Sequence, residues 1–397
     1  MVVMNIATYG FTMIAARLLG PRSYGAMAAI MAAILVVAVL QLALQATAAR
    51  RIAAEPAHVA QIERSILRVT YRAAIGLGLV LLVLTPVLNA VLRLDSLLTA
   101  ALISVVSIPF TVFGGQAGIL QGERRWRELS VMYLLSGVPR IVIGTALIAW
   151  RPTELMALVG VGLGACAPVV AGWFFLRGRR AAGALSEEHG FRQVMRESFH
   201  NSHVLLAFFA LSNIDIVVAR NVLSEHDAGL YAGGIILTKA VLFLPQFIVV
   251  IAFPSMATVN ERRRALTLSL TIAAVLGSGV VLGAYLLPDL ALIFVGGDEY
   301  AEITDHLWIF AILGTVLAML QLLVYSVLAR QGQRSVYLVW AAFLVLVGTG
   351  QLVHTLDGLV TLVLLVDLAL FGALLAVSLR VIRRPPDPNE VGAPAPL

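Results

Sequence analysis

Apolar residues run along this chain in long blocks, separated by short clusters of arginine, proline and glycine. A helix that crosses a bilayer needs about 20 mostly apolar residues. That ruler marks out residues 1–19, 25–48, 70–92, 97–120, 129–150, 154–176, 200–220, 229–252, 266–288, 303–328, 335–353 and 357–380. Lipid offers no hydrogen bonds, so spans of this kind must satisfy their backbone internally, as helices do. The pattern predicts an all-α integral membrane protein with about 12 transmembrane helices. Residues 177–199 are the longest polar connection and fall near the midpoint, with Arg177, Arg179, Arg180, Glu187 and Glu188. Residues 382–397 carry Pro385, Pro386, Pro388, Pro394 and Pro396, which cannot continue a helix, and too few apolar residues to pack. A disordered cytoplasmic tail is expected there.

Two short patterns recur about half the chain apart. The corner after the first block, Ala16 to Ala29, reads A-R-L-L-G-P-R-S-Y-G-A-M-A-A. The corner after the seventh, from Ala219, reads A-R-N-V-L-S-E-H-D-A-G-L-Y-A-G, so Arg17 matches Arg220 and Gly25 matches Gly229. Each predicts a tight helix–loop–helix turn. At the end of the fourth block Gln121-Gly122-x-Arg124 is echoed after the tenth by Gln331-Gly332-x-Arg334. Repeats with an even number of spans are parallel, related by an axis along the membrane normal. The expected architecture is two parallel six-helix lobes, 1–176 and 200–381, around a central cleft, with 177–199 as a cytoplasmic inter-lobe linker.

Composition agrees with lipid as the solvent. Hydrophobic residues make up 60% and charged residues only 13%, against about a quarter charged in soluble domains. The net charge of +6 would suggest nucleic acid in a soluble protein. Its distribution argues otherwise. Most of the 28 basic residues fall in the even-numbered connections, including Arg50, Arg51, Arg64, Arg68, Arg72, Arg124, Arg125, Arg127 and Arg262 to Arg264. The odd-numbered side holds Arg17, Arg22, Arg93, Arg151 and Arg220, and an acidic loop with Asp289, Asp298, Glu299 and Glu302. The positive-inside rule then puts the even loops and both termini in the cytoplasm, in a cytoplasmic (inner) membrane, with no nucleic-acid partner. The chain opens directly in an apolar block, without the basic region and cleavage site of a signal peptide. Cys166 is the only cysteine, so no intramolecular disulfide or cysteine metal site is expected.

Charges at membrane depth are costly and therefore candidate functional groups. Arg140 follows Pro139 in the fifth block, Asp215 lies in the seventh, Lys239 in the eighth and Asp367 in the twelfth; Arg17 and Arg220 sit near the ends of equivalent blocks. One reading has Arg140, Lys239, Asp215, Arg17 and Arg220 lining a substrate-binding cleft. The other has each tying neighbouring helices together, for example Asp215 with Lys239 or Arg220. Asn5, Gln41, Gln45, Gln116, Asn213, Gln246 and Gln321 suit interhelical hydrogen bonds or sugar hydroxyls equally. Gly160-x-Gly162-x-Gly164 follows no strand and reads as a helix-packing face. His200 and His203 lack a third ligand at metal spacing. No catalytic triad or Walker motif stands out, and no cofactor, metal or catalytic residue is expected.

Leu19-Gly20-Pro21-Arg22-Ser23-Tyr24-Gly25 resembles the corner after the first helix in the polysaccharide-transport branch of the multidrug/oligosaccharidyl-lipid/polysaccharide exporter superfamily. Leu223 to Tyr231 is similar to the counterpart that opens the second half, and Gln121 to Arg125 to the turn ending the fourth helix. Asp215 resembles an acidic residue often carried in the seventh helix. The resemblance extends over residues 1–380. It implies a non-enzymatic flippase that moves a polyprenyl-diphosphate-linked oligosaccharide by alternating access. The lipid bilayer, a coupling ion and a polysaccharide polymerase or other assembly proteins are the implied partners. A cation-coupled small-molecule exporter is the alternative within the superfamily. A membrane glycosyltransferase or polymer ligase is the alternative from another class.

Overall fold

The structure, a computed structural model, describes residues 2–55, 58–178, 191–257, 262–329 and 336–383. Among them every regular element is helical. In chain order these are α1 (Val2–Ala54), α2 (Val59–Val83), α3 (Thr85–Leu92), α4 (Leu97–Gly122), α5 (Trp126–Trp150) and α6 (Glu154–Leu176). They continue with α7 (Phe191–Val222), α8 (Glu225–Ala257), α9 (Arg262–Leu286) and α10 (Pro288–Val295). A 3-10 helix at Asp298–His306 precedes α11 (Leu307–Ala329), α12 (Val336–Gly350) and α13 (Leu356–Arg383). The chain separates into two compact units, Met1–Leu206 and Ala207–Leu397. Residues 179–190 of the expected linker, 384–397 of the expected tail and the second Gln-Gly turn at Gln331 to Arg334 lie outside the described residues.

Among the described residues nine helical stretches are long and apolar enough to cross a membrane. Their outer faces carry aliphatic side chains such as Ile75, Leu79, Val142, Val275 and Leu365, all exposed. Two elements differ from the expected blocks. The first corner has no intervening loop: two helical halves of α1 meet directly at a kink. Gly20 takes φ 68° and ψ 170°, and Pro21 starts the next turn. Proline excludes helical geometry from the residue before it, and only glycine tolerates the resulting positive φ without strain. The third block begins earlier than its apolar stretch, because α2 starts at Val59. Arg64, Arg68 and Arg72 therefore ride on a helix whose other face buries Ile62, Ile66 and Val69; they are not loop residues.

The two units repeat one packing scheme. In the first, α1, α2 and α6 pack around α4. In the second, α8, α9 and α13 pack around α11. The third span of each unit breaks in its last turns, and the piece beyond the break opens at a proline: Pro86 in α3 and Pro288 in α10. The contact between third and fourth spans seats a threonine on a glycine in both units. Gly115 of α4 receives Thr70 of α2, whereas Gly277 of α9 receives Thr315 of α11. The turn from α4 to α5 closes by bonds from Arg125 N–H to Leu120 C=O (2.9 Å) and Arg124 N–H to Gln121 C=O (3.1 Å). Arg124 sits at φ 58°, the left-handed stop that ends many helices. Arg125 then bridges Glu128 (3.0 Å) and the Phe175 carbonyl of α6 (3.2 Å).

Gly20→Ala forces a Cβ into a backbone region that is essentially glycine-only, at a cost of about 1–3 kcal/mol. Gly76→Ala, whose added Cβ meets nothing within 4 Å, is the control and is expected to be neutral or slightly stabilising. Thermal unfolding of the two purified variants in detergent should separate them, with only the first lowering the midpoint. Equal midpoints would contradict the role given to Gly20.

Candidate functional sites in the two units

In the first unit, three helices converge on Arg140 of α5. Gly164 of α6 lies so close that an added Cβ would stand 2.7 Å from the Arg140 Cα. Gly160 packs the same way on Gly144, while Gly162 faces Val106 of α4. The glycine-rich run of α6 is thus a packing face. On the other side Gly137 meets Met4 and Gly144 meets Phe11, which brings the first half of α1 against α5. The Arg140 guanidinium donates from Nη2 to the Thr8 hydroxyl of α1. Thr8 in turn donates to the Met4 carbonyl at 2.8 Å. The Nε–H of Arg140 is buried and has no acceptor among the described residues, and the buried Tyr9 hydroxyl likewise has no partner. No carboxylate among the described residues pairs with Arg140.

In the second unit, Lys239 of α8 donates to the Ser212 carbonyl (2.7 Å) and the Asn213 side-chain oxygen (3.1 Å) of α7. Asn213 is itself braced by a bond to the Phe209 carbonyl at 2.7 Å. One turn nearer the end of α7, Asp215 accepts from the Tyr231 hydroxyl at 2.9 Å through Oδ2. Its Oδ1 is buried without a hydrogen-bond donor among the described residues. Asp367 of α13 acts electrostatically on both Asp215 and Lys239. Asp215 is 3% exposed and Asp367 2%. Tyr231 is positioned by an edge contact to Phe310 at 5.7 Å, and Thr238 donates to the Phe310 carbonyl at 2.8 Å. Asp215, Lys239 and Asp367 thus lie near enough to one another to interact electrostatically, with both aspartates buried.

The residues expected to line one cleft fall into different surroundings. Asp215 and Lys239 join one cluster, which Asp367 and Tyr231 complete. Arg140 stands in the first unit with the Thr8 hydroxyl as its hydrogen-bond partner. Arg220 is buried at 5% exposure with an interaction of its own, whereas Arg17, its match in sequence, is exposed. Among the amides, Gln45 donates to Gln121 (2.9 Å) and Tyr133 (2.8 Å), which is a helix tie. Gln116 is fully buried with neither amide atom bonded among the described residues. The Gln246 side chain and His200 lie outside the described side chains. Thr8, Tyr9 and Tyr231 had no signal of their own, because single hydroxyls in helices usually bond their own backbone.

A family model described as polysaccharide biosynthesis protein matches residues 1–260. No curated protein matches the chain significantly. Among solved structures, an inward-facing multidrug resistance MATE family transporter of the MOP superfamily is 16% identical, with a TM-score of 0.76 over 96% of this chain and 94% of that one. A eukaryotic MATE transporter is 13% identical with a TM-score of 0.63 over 96% and 95%. A MOP superfamily transporter from Pyrococcus furiosus, described as having a binding pocket of reverse polarity that suggests a different function, is 16% identical with a TM-score of 0.65 over 96% and 92%. At these identities the likeness is one of fold.

Removing one member of a buried charge cluster leaves the others uncompensated, at about 3–5 kcal/mol. Lys239→Met is therefore expected to destabilise the protein, and Asp367→Asn in the same chain to restore part of the loss, because the two sites are coupled. Thermal unfolding of the single and double variants measures the coupling. Strictly additive shifts would mean that Asp367 does not sense Lys239.

Proposed function

The chain belongs to the polysaccharide biosynthesis protein family of the MOP transporter superfamily, a multi-pass membrane transporter fold, and from that premise we propose that it is a flippase for a polyprenyl-diphosphate-linked oligosaccharide. The observation that carries this reading is Arg140. A guanidinium inside a spanning helix is expensive. Here its hydrogen-bond partner is the neutral Thr8 hydroxyl, its Nε–H is unspent, and no carboxylate among the described residues balances it. A diphosphate supplies the missing counter-charge. The planar fork of arginine donates to phosphate oxygens in pairs, which a lysine ammonium does not do.

In this reading Arg140 binds the diphosphate as it arrives from the cytoplasmic leaflet of the inner membrane. A change in the exposure of Arg140 from one side of the membrane to the other carries the head group across, and the polyprenyl tail stays in lipid. Buried amides such as Gln116 meet the sugar hydroxyls. The Asp215–Lys239–Asp367 cluster exchanges a coupling ion through the free Oδ1 of Asp215. A polymerase or other assembly protein would consume the delivered precursor. The second reading, a cation-coupled exporter of small molecules, is favoured by the same two carboxylates and by the multidrug transporters that share the fold. An uncompensated arginine repels cationic drugs, which is why the flippase reading ranks first.

Vesicles reconstituted with the full chain should move a lipid-linked oligosaccharide to the opposite leaflet. Arg140→Ala should slow that movement at least about tenfold, since a hydrogen bond to a charged group is worth about 1.5–3 kcal/mol. Arg140→Lys should recover only part. Vesicles that instead accumulate a cationic dye, with no movement of the lipid-linked sugar, would replace this reading by the exporter.

A further inference from the structure

The outward face of α2 changes chemistry halfway along the helix. Arg64, Arg68 and Arg72 are exposed and spaced by four residues, so they form one row. Ile75, Leu79 and Val83 continue that row, at 56%, 58% and 80% exposure. At 3.6 residues per turn all six side chains fall within an arc of about 100° and extend over about 28 Å. The opposite face is spent on the core, where Ile62, Ile66 and Val69 are buried. Arginines and aliphatics therefore form one uninterrupted stripe, charged at one end and apolar at the other. The Nε–H of Arg64 donates to the Ala60 carbonyl at 3.0 Å, which braces that side chain along its own helix. Among the described residues no carboxylate pairs with Arg64 or Arg68. Arg72 keeps an interaction within the protein, and Tyr71 beside it is 40% exposed, as aromatics at the edge of the hydrocarbon tend to be.

We propose that this face of α2 is a binding surface for an anionic phospholipid of the surrounding bilayer. The headgroup phosphate lies on the Arg64–Arg68–Arg72 row and an acyl chain lies along Ile75, Leu79 and Val83. The order of the stripe is the order of a phospholipid, with anion first and hydrocarbon second. The switch between Arg72 and Ile75 marks the depth at which headgroups end. A zwitterionic lipid fits the apolar half equally well and gains nothing from the charged half, because its own ammonium competes with the guanidinium groups. The surface therefore selects by headgroup charge. Juxtamembrane basic residues draw anionic lipid by about fivefold for each arginine close to the surface. A preference of at least about fivefold over a zwitterionic lipid is expected once dehydration of the headgroup is set against three of them.

The test places a fluorescent probe on the apolar half and asks which lipid touches it. The full-length chain carrying Cys166→Ser and Leu79→Cys is labelled with bimane and reconstituted in phosphatidylcholine vesicles. A small and equal fraction of dibrominated phosphatidylglycerol or dibrominated phosphatidylcholine serves as quencher. The brominated anionic lipid should act as though about fivefold more concentrated at the probe, and high salt should reduce that advantage. Arg64→Gln, Arg68→Gln and Arg72→Gln together should bring the two lipids to parity. Equal quenching with all three arginines in place overturns the proposal without recourse to a variant that must fold. An advantage that persists at full size in the triple variant overturns it as well. So does relief of the quenching by a trace of polyprenyl phosphate, because the face would then belong to the substrate.

Discussion

Helices already in lipid gain nothing by hiding apolar side chains from water, so they cohere only where their backbones come close. The contacts of α4 with α1, α2 and α6, of α5 with α1 and α6, and of α11 with α8 and α9 meet that demand with a glycine. Gly114 and Gly118 of α4 lie on the backbone of Gln41 and Gln45 in α1. Gly314 of α11 lies on Thr238 of α8, and Gly234 of α8 lies under the Phe310 ring. In the first unit α4 itself offers such sites to several neighbours, whereas in the second the helices around α11 supply most of the glycines. What the halves share is this packing order more than any run of residues. The exchange of glycine and threonine between Gly115–Thr70 and Gly277–Thr315 makes the point. The contact needs one side chain absent, and either helix can supply the absence.

The same scaffold carries unequal electrostatics. In the second unit Lys239 already has a backbone carbonyl and an amide as hydrogen-bond acceptors and feels two aspartates electrostatically. In the first, Arg140 has a hydroxyl and an idle Nε–H. The low dielectric that makes an uncompensated charge costly also strengthens any ion that compensates it. Of the two cations, Arg140 therefore gains more from an incoming anion, and Lys239 would have to give up partners first. The glycine contacts at Gly164 and Gly144 hold α5 close to α6 and α1, so packing fixes where this charge stands.

Hydropathy alone located the spans, because it reports the one property that lipid selects. It missed what lipid does not select. The lower turns of α2 lie outside the apolar block, yet Ile62, Ile66 and Val69 alternate with Arg64, Arg68 and Arg72 at helical spacing. That period was present in the sequence and masked by its charge. The bend at Gly20 was visible as a corner from Gly-Pro, while the direct meeting of the two helical halves of α1 without a loop was not. At the candidate sites the charged residues announced themselves by their cost in a membrane. Their hydroxyl partners Thr8 and Tyr231 did not, since a hydroxyl in a helix carries no comparable penalty when it bonds its own backbone.

The matched arginines show how far a repeat can be trusted. Arg17 and Arg220 occupy corresponding corners, and both corners do turn the chain, one by a glycine bend and the other by a short break. At that break Ser224 accepts from the Asp227 N–H at 3.1 Å and donates to its carboxylate at 2.8 Å. Yet Arg17 is exposed and Arg220 is buried. Backbone geometry follows from a few local residues, so similar corners can form in both units. The surroundings of a side chain depend on every neighbouring helix, and those surroundings differ between the two units. A long arginine at a helix end can also reach toward the interface as readily as inward. Its role is therefore set by what packs beside it, and correspondence in sequence carries the turn without carrying the charge's partner.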